Sequence, residues 1–149
     1  MFTDTDFLQM AVDESLVSIK EGSSPFGAVI VKDGTVIARA HNRVVPDHDA
    51  TAHAEMCCIR KACQQLGTFD LSGCILYSSC EPCPMCLNAI KWANIKKVYF
   101  AASRYDADDI GFRDNEFYQN LSMDMHHIEL KSARQVMDQW YRSDNKKEY

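Results

Sequence analysis

The first apolar pattern along the chain has the period of a helix. Aliphatic side chains recur every three or four residues with polar residues between them: Leu8, Val12, Leu16 and Ile19. This stripe predicts an amphipathic helix over 3–21, and Gly22 is placed to end it. Two β-prone runs, 26–31 and 35–38, then lie on either side of Asp33-Gly34. An Asp-Gly pair between two such runs predicts a β-hairpin.

The next part of the chain contains a second helical stripe. Residues 44–50 include a proline and two aspartates and predict a loop. Beyond them, apolar residues again recur at helical spacing up to Gly67: Met56, Ile59, Cys63 and Leu66. Thr51 is the candidate N-cap of this helix. That cap would place His53 and Glu55 in or near the first turn.

The second half of the chain alternates strands with helices. Short apolar strands are predicted at 74–77 and 98–102, on either side of a helix over 84–93 that has proline at its first position. The acidic stretch 103–120 has no clear pattern, and 132–142 predicts a terminal helix. Alternation of this kind favours a sheet covered by helices on both faces.

Composition narrows the class of protein. The chain has 149 residues, of which 46% are hydrophobic and 25% charged, values typical of a soluble globular protein. No repeat or flexible linker divides it, so we expect one domain over 1–149. The formal net charge of −5 argues against a protein that holds a long nucleic acid, because neutralising phosphates needs a basic face. No membrane segment or signal peptide is predicted, and we expect a cytoplasmic protein.

Seven cysteines raise the question of metal binding. In a reducing compartment, thiols serve as small buried hydrophobes or as metal ligands. Cys83 and Cys86 stand in a Pro-Cys-x-x-Cys run, and His53 precedes them. One imidazole and two thiolates would give zinc three protein ligands and leave a fourth position for water, as in catalytic zinc sites. Glu55, two residues after His53, would be close enough to move a proton from that water.

Two other interpretations of these residues are open. One is a redox pair formed by Cys83 and Cys86, although no thioredoxin-like pattern surrounds these two cysteines. A structural zinc site with Cys80 as fourth ligand would make the protein a non-catalytic, zinc-stabilised binding module. The complete pattern, His-x-Glu followed by Pro-Cys-x-x-Cys, is the signature of zinc nucleobase deaminases and favours the catalytic interpretation. The remaining cysteines are expected in the core: Cys57, Cys58, Cys63 and Cys74.

Three segments together carry a family resemblance. The segments 25–31, 51–55 and 79–86 resemble the cytidine deaminase superfamily, and within it the small bacterial guanine deaminases. The resemblance implies a three-layer α/β/α sandwich with a central mixed five-stranded sheet. It implies one zinc ion per subunit, held by His53, Cys83 and Cys86. It also implies hydrolytic deamination of guanine, a purine base, to xanthine and ammonia.

The same resemblance implies roles for residues around the metal. Phe26 would sandwich the base, Asn42 would hydrogen-bond it, and Asp114, in the run Gly-Phe-Arg-Asp, would recognise guanine. Arg113 stands where the family carries an acid, which changes the charge beside Asp114. We also expect the backbone N–H of Ala54 to donate to the reacting oxygen. Trp92 is a further candidate to line the pocket.

The tail and the choice of base are the least specific parts of the resemblance. Similar enzymes form a domain-swapped homodimer, which would place Tyr149, in a tail over 143–149, in the partner's active site. Other zinc deaminases, acting on guanosine, triazines, cytosine or tRNA adenosine, are alternatives. Net acidity and Phe26 count against a tRNA substrate, and a tail closing over the pocket would obstruct the ribose of guanosine.

Overall fold

The computed structural model describes residues 1–148, and its first element is the predicted amphipathic helix. Helix α1 spans Asp4–Lys20. Thr3 caps it reciprocally: its hydroxyl accepts a hydrogen bond from the Asp6 N–H at 3.2 Å, and its own N–H donates to the Asp6 carboxylate at 2.7 Å. This capping box satisfies two backbone donors that the helix start would leave unpaired.

Four strands form one mixed sheet in the order β2-β1-β3-β4. Their bounds are β1 Gly27–Lys32, β2 Thr35–His41, β3 Cys74–Cys80 and β4 Lys97–Ala102. Strand β1 is antiparallel to both neighbours, whereas β3 and β4 are parallel. The predicted hairpin is confirmed: Asp33 and Gly34 both have positive φ, at 49° and 75°, as a tight turn between twisted strands requires.

The prediction of a fifth strand is wrong, because the described residues form a four-stranded sheet. Strand β4 is an edge, and no later described residue pairs with its free side. The segment 121–130 alternates apolar and polar residues over part of its length, yet all ten residues are exposed. A strand needs a packed face to be stable in water, and this segment has none in the single chain.

Alternate side chains of β1 fill two cores. Ala28 and Ile30 point to the face covered by helices α3 and α4, which span Ala54–Leu66 and Pro84–Trp92. Val29 and Val31 point to α1 and pack with a cluster that includes Phe7, Ala11 and Tyr77. The three layers predicted from the sequence are therefore present, and helices cover both faces of the sheet.

Gly27, the first residue of β1, lies where α1 comes closest to the sheet. A β-carbon at this position would be 2.2 Å from the Ala11 carbonyl oxygen and 2.6 Å from the Ser15 nitrogen. Glycine is therefore required for α1 to lie against the strand. The Gly27 N–H also donates to the Ser79 hydroxyl on β3 at 3.0 Å, which joins the two strands near the same point.

Two predictions for the segment that precedes α3 are wrong. Residues 44–50 were expected to form a loop, but Val44–Asp47 forms a one-turn helix, α2, whose start is held by a paired Arg43 and Asp47. The N-cap of α3 is His53 and not Thr51. Thr51 instead donates to the Asp49 side chain through its N–H and hydroxyl, at 2.9 and 2.7 Å, within the preceding turn.

Three more helices follow within the described part of the chain: α5 Arg104–Asp109, α6 Asp114–Gln119 and α7 Lys131–Tyr141. The first two resolve the acidic stretch that had no clear pattern in the sequence. Helix α7 confirms the predicted terminal helix, but none of its residues is buried. Within residues 1–148, no helix is both long and apolar enough to cross a membrane.

Candidate metal and substrate site

Two helix N-termini meet at the candidate metal site. His53 is the N-cap of α3 and Cys83 is the N-cap of α4, with Cys86 one turn further along. The His53 Nδ1 atom lies 3.6 Å from the Cys83 sulfur and 3.5 Å from the Cys86 sulfur. The three ligand atoms all lie within 4.8 Å of one another, close enough to bind one ion together.

The chemistry of this donor set fits zinc. Hydrogen bonds from the Cys86 thiol and from His53 lower the pKa of Cys83 to about 4, despite its burial. The same contact with Cys83, together with burial, raises the pKa of Cys86. A bound cation would hold both sulfurs as thiolates, because metal ligands bind deprotonated. Two sulfurs and one imidazole nitrogen are typical ligands of zinc, and three of them leave a position open.

Cys80 lies outside this group. Its sulfur donates to the Ser103 carbonyl at 3.5 Å, and burial raises its pKa to about 12. Among residues 1–148, the only cluster of histidine, cysteine or carboxylate side chains able to hold a metal is His53, Cys83 and Cys86. The structure therefore gives no support to the alternative in which Cys80 closes the site.

Glu55 is the buried acid beside the candidate ligands. It is the second residue of α3, is only 6% exposed, and lines the same cavity as His53 and Cys83. Burial raises its pKa above the usual value for glutamate. Ala54, between the two, is fully buried at the first position of α3, where backbone N–H groups have no partner within the helix.

Asn42 has a fixed orientation on the cavity wall. It is buried at the end of β2, and its side-chain oxygen accepts hydrogen bonds from the Ser23 hydroxyl at 2.8 Å and the Val44 N–H at 3.0 Å. Both partners of the oxygen are therefore protein groups. The amide NH₂ is the part of Asn42 that remains to donate to a ligand in the cavity.

Two aromatic rings lie together in the cavity. Phe26 precedes β1 and Phe112 precedes α6, and their ring centroids are 4.9 Å apart with the rings at 76°. Phe26 was predicted as a pocket residue, whereas Phe112 was only part of the motif that contains Asp114. The signal available for Phe112 in the sequence was its position two residues before Asp114 in that motif.

Asp114 lines the same cavity from helix α6. It is the first residue of α6 and is half-buried, and this burial raises the pKa of its carboxyl group, as does the nearby Cys83. Arg113 also lines the cavity but is exposed, with its guanidinium 5.2 Å from the centre of the Phe117 ring. The structure thus brings Phe26, Asn42 and Asp114 to one cavity with Glu55.

Two predicted residues are not brought to this cavity. Trp92 is the last residue of α4 and is 64% exposed, away from the cavity lining. It is six positions after Cys86, about 9 Å along a helix, so it lies at the end of α4 away from the metal ligands. Tyr149 lies outside the described residues.

Comparisons with known proteins agree with this geometry. Residues 1–102 match the family described as the cytidine and deoxycytidylate deaminase zinc-binding region. The guanine deaminase of Bacillus subtilis is 44% identical over 96% of this chain and 97% of its own length. A solved structure of that enzyme superposes with a TM-score of 0.93 and covers 100% of this chain and 99% of the other. The tRNA-specific adenosine deaminase of Aquifex aeolicus is 47% identical, over 64% of each chain.

Proposed function

This chain belongs to the cytidine and deoxycytidylate deaminase family, and on that premise we propose that it is a guanine deaminase. The reaction is hydrolytic: guanine and water give xanthine and ammonia. The observation that carries the proposal is the extent of the match. Similarity to guanine deaminase continues through α5, α6 and α7, whereas similarity to the tRNA-specific enzyme covers 64% of the chain. The segment that contains Asp114 lies in the part beyond the zinc-binding region at 1–102.

The groups on the cavity wall are complementary to a guanine base. The Asp114 carboxylate accepts hydrogen bonds, and guanine carries an N–H and an amino group side by side on one edge. The Asn42 amide donates, and guanine has ring nitrogens and a carbonyl that accept. Phe26 and Phe112 supply the apolar surface that a flat ring needs. A base with a different order of donors and acceptors would leave the buried Asn42 amide or the half-buried Asp114 carboxylate unpaired in the cavity, which is costly.

His53, Cys83 and Cys86 are the residues that hold zinc in this proposal, one ion per subunit. When bound there, zinc lowers the pKa of water and so supplies a nucleophile at neutral pH. Glu55 accepts the proton of the attacking water and delivers it to N3 of the purine as C2 is attacked. Glu55, a carboxylate again, then takes the remaining proton of the added oxygen and passes it to the amine at C2. The C2–N bond breaks, the C2=O bond of xanthine forms, and ammonia leaves. The Ala54 N–H donates to the oxygen that has been added.

The assembly in this proposal is a homodimer in which the tails are exchanged. Helix α7 supports it, because Val136, Met137 and Trp140 are 66%, 66% and 45% exposed in the single chain. Exposed apolar side chains along one helix are typical of a surface that another chain covers. The tail over 143–149 follows directly and would bring Tyr149 to the partner's cavity. All seven cysteines are unpaired, which is consistent with the cytoplasm as the compartment.

A substrate panel tests the proposed function. Zinc-loaded protein is incubated with guanine, guanosine, cytosine, adenine, a triazine and a tRNA anticodon stem-loop, and ammonia is measured. Guanine should give the highest kcat/KM, with xanthine as the product. A higher value for any other substrate would assign the chain to another deaminase of the family. Stoichiometric zinc with no ammonia from any substrate would instead favour a non-catalytic zinc-stabilised module.

A further inference from the structure

Helix α6, which carries Asp114, is attached through one side chain to the ligand loop, residues 81–83 between β3 and α4. The hydroxyl group of Tyr118, on α6, donates a hydrogen bond to the Pro82 carbonyl oxygen. Pro82 is buried and directly precedes Cys83. Asp114 and Tyr118 are four residues apart on the same helix, and residues at this spacing lie on the same face. One face of α6 therefore carries both the acid in the cavity and the contact with the ligand loop.

Helix α6 has little stability of its own. The helix has six residues, none of them buried, and its N-cap, Arg113, makes no side-chain capping bond. A helix this short is not stable by itself in water and depends on contacts with the rest of the protein. The Tyr118 hydroxyl is half-buried and bonded to a loop 36 positions earlier in the chain, so it joins two segments that the sequence keeps apart.

A second set of contacts covers the Tyr118 ring. The Arg104 guanidinium lies 4.4 Å from the centre of this ring, a cation–π distance. The Arg104 backbone N–H donates to the Glu81 carboxylate at 2.9 Å, and the Glu81 N–H donates to the Ala102 carbonyl at 2.8 Å. The ligand loop, the end of β4 and α6 are thus joined around one tyrosine.

We propose that Tyr118 is a positioning residue for substrate recognition: by bonding to Pro82 it sets the place of Asp114 relative to the Cys83 loop. Tyr118 does not line the cavity, and its hydroxyl bonds to the residue that precedes Cys83 and not to a candidate metal ligand. Its effect is exerted through Asp114, and this inference rests on the proposed guanine deaminase activity. The expected consequence of losing the hydroxyl is weaker recognition of guanine, with the metal and the proton-transfer residue left in place.

The test is Tyr118→Phe, which removes the hydroxyl and keeps the ring against Arg104. We expect KM for guanine to rise about three- to tenfold, the effect of one lost hydrogen bond, with kcat changed less than twofold and zinc content unchanged. Tyr105→Phe is the matched control. The Tyr105 hydroxyl accepts a hydrogen bond from Arg104 at 3.2 Å, but Tyr105 is 55% exposed and it is Tyr118, not Tyr105, that bonds to Pro82. KM should therefore stay at the wild-type value.

A double-mutant cycle separates positioning from a general structural effect. If Tyr118 acts through Asp114, Tyr118→Phe should have no further effect on kcat/KM in an Asp114→Asn background. Fully additive effects, an unchanged KM in Tyr118→Phe, or zinc loss in that variant would each overturn the inference. Wild-type protein that releases no ammonia from guanine would overturn the proposed function, and this inference with it. If the wild-type protein deaminates guanine and Tyr118→Phe has the same KM, only this inference is overturned and the proposed function stands.

Discussion

His53 and Cys83 are the N-caps of two different helices, and the Nδ1 atom of the first lies 3.6 Å from the sulfur of the second. Neither side chain caps its own helix, because each points to the shared site. The positive end of each helix dipole is therefore directed at the same point, which stabilises thiolate there. The fold thus assembles the candidate ligands from segments 30 residues apart in sequence.

Glu55→Gln should nearly abolish turnover while zinc stays bound. The variant keeps the size of the side chain but cannot transfer a proton, so we expect kcat to fall by at least about 10²–10⁴-fold. Ammonia release and zinc content are measured on the same preparation. Glu129→Gln, at a 78% exposed side chain away from the cavity, is the control and should leave both values unchanged. Zinc loss in Glu55→Gln would show that Glu55 is a ligand.

Cys83→Ala should lose the metal and, with it, activity. Removing one of three protein ligands leaves zinc with two, too few for a stable site at neutral pH. Elemental analysis after dialysis should find zinc well below one equivalent. Cys63→Ala, at a half-buried thiol on α3 outside the metal cluster, should keep full occupancy. Full zinc in Cys83→Ala would mean that the ligand set is different.

Asp114→Asn should weaken recognition of guanine more than stability. Losing a charge-assisted hydrogen bond predicts a fall in kcat/KM of about 10- to 100-fold. The ratio of kcat/KM for guanine to that for adenine should fall in parallel, while zinc content stays constant. A large drop in melting temperature with the ratio intact would instead assign Asp114 a structural role at the start of α6.

Removal of Tyr149 tests the exchanged tail. If the terminal tyrosine contacts the base in a partner's cavity, kcat/KM for guanine should fall about two- to tenfold, the range for one lost aromatic contact. Zinc content should not change. Sedimentation of the intact and shortened proteins gives the oligomeric state independently. Unchanged kinetics in the shortened protein would exclude a role for Tyr149 at the active site.

Asp4 should make stability depend on pH in the acid range. The Tyr77 hydroxyl donates to the Asp4 carboxylate at 2.5 Å and lowers the pKa of that carboxyl below its usual value of 3.8. A lowered folded-state pKa means that this stabilisation is present above pH 3.8 and is lost as pH falls through the folded-state value. Asp4→Asn should therefore lower the melting temperature at pH 7, and the difference should shrink below pH 3.8.

The control for this pH dependence lies on the same helix. Asp13 is exposed and its carboxylate accepts a hydrogen bond from the Gln9 amide at 3.0 Å, so Asp13→Asn makes the same change of charge on α1 away from Tyr77. Thermal unfolding followed by circular dichroism at several pH values should show little pH-dependent change for this variant. An Asp4→Asn effect that is equal at pH 7 and at pH 2.5 would contradict the proposed role of the carboxylate charge.

The metal site was predictable from the sequence because its signals are local. Proline before a thiol and at the first position of α4 marks a helix start, and the ligand spacing follows from one turn of that helix. The hairpin at Asp33-Gly34 was predictable for the same kind of reason, since the turn residues themselves adopt the required backbone angles.

The contacts around α6 were not predictable in this way. Tyr118 bonds to Pro82 across 36 positions, and Phe112 meets Phe26 across an even longer separation. Neither pair has a period or spacing that a single sequence displays. The fifth strand was expected from the family resemblance alone, and the exposed segment 121–130 does not form it. The spacing of the apolar residues in α7 likewise predicted a helix, but it did not predict that this helix is exposed in the single chain.

Gly27 has a consequence for the cavity that no contact with substrate would reveal. Strand β1 begins at Gly27 so close to α1 that no side chain fits between them. Phe26 is the residue directly before this contact. The backbone that holds one aromatic wall of the cavity is thus immobilised from the far side of the sheet. A larger residue at 27 would tilt α1 away and shift that wall, so binding of the base depends on a helix that never approaches it.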